Sequence, residues 1–153
     1  MEVLVALVVL SVGLLGIAGM QATGLRNNHA AYTKTQATAL AMDMTDRIRA
    51  NPSGAAHYHG FDTKVAVPAD PTCITAGCTA AQMATYDKYQ WSQPLVSTTN
   101  PILPEGRGMI GKAGDVFTIT LLWREPGFKG VERPTCVTGQ ADDVACLQMS
   151  FQP

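Results

Sequence analysis

From Val3 to Met20 the chain carries no charged side chain, and Ser11 is the only polar one. A helix rises about 1.5 Å per residue, so roughly 20 residues cross a hydrocarbon core about 30 Å thick. Gln21 and Thr23 delay the first charge until Arg26, while Glu2 stands at the very start of the apolar run. The pattern predicts a membrane-spanning helix. Two rival readings fit less well. A cleaved secretory signal has basic residues ahead of a shorter apolar core, whereas only Met1 and Glu2 precede this one. A buried core helix is rarely apolar all round over such a length.

Beyond the run, Ala37, Leu40, Ala41, Met44 and Ile48 follow the i, i+3, i+4, i+7 spacing of one helix face. Asp43 with Arg47, and Asp46 with Arg49, can pair on the opposite side, and the two arginines suit the negative end of the helix dipole. Asn51, Pro52, Ser53 and Gly54 then stop the helix. The glycines at 13, 16, 19 and 24 lower helix propensity without removing a hydrogen-bond donor. The expectation is therefore one helix from about Val3 to Ala50, roughly 70 Å long, whose second half leaves the membrane and packs on a soluble domain.

Residues 55 to 78 read as loop, with a short strand at Lys64 to Val67. Thr79 to Gln82 spells the T-x-x-Q capping box and opens a second helix, in which Ala80, Ala84, Asp87 and Trp91 share a face and which Pro94 ends. From Gly106 the period becomes two. Phe117, Ile119, Leu121 and Trp123 alternate with Val116, Thr118, Thr120 and Leu122 as a strand. Gly111 to Asp115 turns it back on a partner at Gly108 to Ile110, and Leu147, Met149 and Phe151 alternate with Gln148 and Ser150 as a closing strand.

At 153 residues and 46% hydrophobic, the chain has material for one soluble domain besides the apolar run. A formal net charge of -1 gives no general attraction to nucleic acid or to anionic lipid. The cysteines fall in two sets, Cys73 with Cys78 and Cys136 with Cys146. Even numbers suggest disulfides, each contributing about 2 to 3 kcal/mol in an oxidising compartment such as a periplasm. The rival is a four-cysteine zinc site, for which Cys136 and Cys146 stand too far apart. Spacing favours pairing within each set without settling the connectivity.

Other candidates for chemistry are weaker. His57 and His59 flank Tyr58 as alternate histidines do around a metal, but only Asp62 is near, so a solvated loop is the expectation. Gly106 to Gly111 fits G-x-G-x-x-G, yet a strand and not a helix follows, so Gly106 and Gly108 are expected to serve tight turns. Asp142 and Asp143 lack the further ligands of a calcium loop. Trp91 and Asp87 are expected to be structural, the indole filling core and the carboxylate capping or bonding to a loop. No phosphate loop, nucleophile elbow, catalytic residue, metal site or cofactor is nominated.

The opening from Glu2 through Ser11 to Gly16 resembles the start of a mature type IV pilin just after its processing site. The string from Arg47 to Pro52, Cys73 and Cys78, Asp87 with Trp91, the segment from Leu103 to Gly108 and the strand ending at Trp123 resemble the minor pilin family called PilV. The resemblance weakens after about Arg124. It implies an α+β, pilin-like fold, with a long N-terminal membrane-spanning helix packed on a small antiparallel β-sheet. It also implies a structural role in initiating or modifying pilus assembly. Implied partners are other minor and major pilins, the inner-membrane assembly platform, and a prepilin peptidase acting on the full-length precursor. The chain would sit in the inner membrane with a periplasmic domain before assembly, and in the pilus fibre or at its tip afterwards.

In the family a basic leader ending in glycine, then Phe-Thr-Leu-Ile, precedes the glutamate that Glu2 matches. The expectation is that the frame upstream of Met1 encodes them. Glu2 is the candidate assembly residue, since a carboxylate at a bilayer edge normally has a partner, in the family the N-terminal amine of a neighbouring subunit. The plain alternative is a glutamate resting in the headgroup layer. Residues 1–24 are thus expected to be the transmembrane half of the helix, and 25–153 a periplasmic pilin-like domain. Competing functions are a minor pseudopilin of a type II secretion system and a membrane-tethered periplasmic binding domain.

Overall fold

The computed structural model describes residues 2–125, 135–141 and 143–153. A single helix, α1 (Glu2–Ala50), opens the chain, and its contacts divide the molecule into two units, Met1–Thr33 and Lys34–Pro153.

In the first unit, α1 is exposed at every position from Glu2 to His29. It is long and apolar enough to cross a membrane. The hydroxyl inside the apolar stretch and the one just beyond it are satisfied by the helix itself, Ser11 Oγ donating to Val8 O at 2.8 Å and Thr23 Oγ1 to Gly19 O at 3.1 Å. That is how polar side chains are made tolerable in hydrocarbon.

In the second unit, the stripe of Ala37, Leu40, Ala41, Met44 and Ile48 is buried in the core. The remaining elements are a 3-10 helix (Pro52–Tyr58), β1 (Phe61–Asp62), α2 (Cys73–Ala76), α3 (Ala80–Val96), β2 (Arg107–Ala113), β3 (Val116–Arg124) and β4 (Val144–Phe151). The four strands form one antiparallel sheet in the order β1-β2-β3-β4. Phe117, Ile119, Leu121 and Trp123 of β3, with Phe151 of β4, turn inward against the α1 stripe and α3. The fold is α+β, a long N-terminal apolar helix packed in its outer half on a small antiparallel sheet.

Three local expectations give way to the structure. The strand after the 3-10 helix lies at Phe61–Asp62 and not at Lys64 to Val67. Asp62 ends it, its Oδ1 accepting the Lys64 N–H at 2.9 Å and its carbonyl accepting Val65 N–H at 3.0 Å, which turns the chain off the sheet. Pro94 does not stop α3, which runs to Val96. A proline this close to the C-terminus forfeits one helical bond, and Ser97 N–H still closes on Gln93 O at 3.1 Å.

The hairpin partner of β3 is longer than Gly108 to Ile110, and the turn shrinks to Gly114 and Asp115, with φ +58° at Gly114. The outer face of β3 is also covered, because Thr120 and Leu122 are buried. The backbone at Cys136 lies over that face, where Gln148 Nε2 donates to both Thr120 Oγ1 and Cys136 O at 3.2 Å.

Candidate functional site

Thr79 caps α3 by accepting the Gln82 N–H, while Gln82 Oε1 accepts the Thr79 N–H at 3.0 Å. The cap fixes where α3 begins, and with it the phase of the face carrying Ala84, Asp87, Trp91 and Leu95. Trp91 is buried, its indole N–H donating to Leu40 O of α1 at 2.8 Å. Gly108 lies in β2 and not in a turn: a Cβ there would collide with the Trp91 ring, so glycine is required by close packing.

One turn before Trp91, Asp87 joins three elements. Its Oδ1 accepts Arg47 Nη1 of α1 at 3.1 Å, and its Oδ2 accepts the Tyr58 hydroxyl from the 3-10 helix. Asn51 Nδ2 donates to Tyr58 at 3.2 Å and to Ala80 O at 2.8 Å. Burial and the bond to Asp87 push the Tyr58 phenol well above its ordinary range, so it stays a donor. Burial alone would lower Arg47, but Asp43 and Asp87 outweigh it and hold the guanidinium charged. The cluster is a strut that ties α1, the 3-10 helix and α3 together.

Local spacing does not reveal this network, because it pairs Arg47 with Asp43 and places Tyr58 in a loop. Arg47 reaches Asp43 on α1 at 3.0 Å but also turns inward to Asp87. Tyr58 is fully buried, contrary to a solvated loop, while His57 and His59 beside it are exposed. A polar pair four residues apart facing an aromatic in a Pro/Gly loop was the available signal. Asp62, weighed as a metal ligand, forms a two-point pair with Arg107, at 3.0 Å to Nε and 2.5 Å to Nη2. That bond holds the Asp62 carboxyl below its usual range. The Gly106 to Gly111 string lies at and within β2, and α3 ends before it. Asp143 pairs with Arg124 at 2.8 Å, and Asp142 lies outside the described residues.

The cysteines are joined as Cys73 to Cys78, with Cα atoms 5.1 Å apart, and Cys136 to Cys146, 6.1 Å apart. The first bond closes the loop around α2 just before the α3 cap. The second ties residue 136 to the outer face of β4 beside Leu122, which is in register with Cys146. Glu2 belongs to the other unit, in the exposed first turn of α1.

Residues 19–89 match the family model described as Tt1218-like, type IV pilin Tt1218. The match supports a type IV pilin. It runs from the end of the apolar stretch through the core stripe, the Tyr58 strut and the first disulfide into α3, and the pilin family is one of structural subunits, not catalysts. The α+β architecture with its long apolar N-terminal helix is consistent with a pilin fold, and fits membrane anchoring before incorporation into a pilus with other pilins. No curated protein and no solved structure matches the chain.

Proposed function

We propose that this pilin is a minor pilin of the PilV type, a structural subunit that helps to initiate or modify type IV pilus assembly. The observation that carries the reading is the two-part use of α1. Its first part exposes an unbroken apolar surface of membrane length, and its second part supplies the core stripe of a disulfide-bonded domain. In this reading the precursor is trimmed by a prepilin peptidase. The subunit then waits in the inner membrane with its domain in the periplasm, and passes through the assembly platform into the fibre beside other minor and major pilins. The disulfides suit that oxidising compartment.

Glu2 is the assembly residue, its carboxylate pairing with the N-terminal amine of a neighbouring subunit. In a medium of low dielectric, an amine left without that partner costs far more than in water. Replacing Glu2 by Ala in cells carrying the full-length precursor is therefore expected to leave the protein made, inserted and disulfide-bonded but poorly built into pili. Insertion is spared because the apolar run is unchanged and one charge is removed. Pilus number and the protein's share in sheared pili are compared at matched membrane levels. Wild-type values for both would leave Glu2 as a bystander in the headgroup layer.

A further inference from the structure

Four arginines of the second unit are paired with carboxylates: Arg47 with Asp43 and Asp87, Arg49 with Asp46, Arg107 with Asp62, and Arg124 with Glu105 and Asp143. Arg26 has no such partner among the described residues, and its helix surroundings are exposed. From Val3 to Met42 the sequence contains no acidic residue, while Arg26, His29 and Lys34 are all basic. An anion for Arg26 must therefore come from outside this stretch of the chain.

Spacing points to where that anion lies. Arg26 is the first charged residue after Glu2. On a continuous helix the 24 steps between them span about 36 Å, against roughly 30 Å of hydrocarbon and 40 to 45 Å with both headgroup layers. With Glu2 at one face of a bilayer, Arg26 falls in the headgroup layer of the other. The surface between them is apolar apart from Gln21, with Met20 70% and Leu25 71% exposed, and the hydroxyls of Ser11 and Thr23 are already bonded to the helix backbone. Between Glu2 and Arg26 nothing offers a charged stop.

We propose that Arg26, with His29 one turn further on, is a phospholipid-headgroup anchor that sets how deep the apolar segment of α1 sits in the bilayer. The proposal rests on the membrane reading of that segment. The guanidinium binds phosphate oxygens through two parallel N–H donors, and the aliphatic stem of the side chain lies along the apolar boundary. The segment is thereby held in register until the subunit is extracted.

Depth is measurable on the full chain, because no described cysteine is free and an introduced one is the unique labelling site. A nitroxide carried by Met20→Cys is placed in vesicles of phosphatidylethanolamine and phosphatidylglycerol, and its depth is read from collision with oxygen and a water-soluble nickel chelate. With Arg26 replaced by Gln, the label is expected to move toward the midplane by about one helical turn, roughly 5 Å, as the segment slides to its next basic group. Arg26→Lys restores the original depth, and Lys64→Gln, a cation of the second unit, leaves it unchanged. An unchanged depth in Arg26→Gln overturns the anchor while leaving the membrane segment intact. A label that never enters the bilayer in the parent chain overturns the membrane reading itself, and the anchor with it.

Discussion

Asp87 is 7% exposed, and a carboxylate so placed is tolerable only with donors on both oxygens. Arg47 and Tyr58 supply them, which makes one residue responsible for the mutual placement of α1, the 3-10 helix and α3. Replacing Asp87 by Ala leaves the buried Tyr58 hydroxyl without its acceptor and the half-buried Arg47 guanidinium with Asp43 alone, with an expected loss of about 2 to 4 kcal/mol. Tyr58→Phe keeps the ion pair and is expected to cost only about 1 to 2 kcal/mol. Denaturant unfolding of the two variants gives the order, and equal losses would contradict a shared carboxylate.

Asp62 gives the pH counterpart. Its folded carboxyl titrates below its unfolded value of about 3.9, so its contribution is complete above that pH and is lost as pH falls through the folded value. Stability measured downward from pH 5 should decline less steeply in Asp62→Asn than in the parent chain. Identical slopes would mean that the pair with Arg107 is not formed in solution.

Elements were legible where one periodicity ruled them. The stripe from Ala37 to Ile48 and the alternation along β3 needed only spacing, and the Thr79 to Gln82 box marks the start of α3 by its own chemistry. Illegible elements depended on partners distant in sequence. Nothing local says that Phe61 and Asp62 join β2, or that Tyr58 turns inward between two exposed histidines to meet a carboxylate 29 residues on. Likewise Gly108 reads as a turn until Trp91 is seen lying on it.

The covered outer face of β3 is a further case, since burial of Leu122 accompanies the Cys136 to Cys146 bond. Changing both cysteines to Ser is expected to lower stability by about 2 to 3 kcal/mol. It should also speed amide exchange at Leu122 and Gln148 while sparing Trp91. Uniform acceleration across the domain would show that the bond acts on the whole fold and not on that face.

At the scale of the molecule, two solvents are written into one helix. The part from Glu2 to His29 is exposed and largely apolar, which water does not favour, and the part from Lys34 to Ala50 alternates core and charged faces as a water-soluble domain requires. The proposed role of Glu2 rests on a resemblance and on the cost of a charge at a bilayer edge, not on any contact within the chain. An assembly residue acts between copies, so neither spacing nor the fold of one subunit displays its partner.

On the proposed function the chain serves in two places, the membrane and the fibre. Cells producing the tagged full-length precursor are sheared, and the protein is quantified in purified pili and in inner membranes that have been washed with alkaline carbonate. Protein is expected in both fractions, with the pilus share vanishing in a strain unable to polymerise pili. Protein released wholly into the soluble periplasm, and absent from pili, would contradict it.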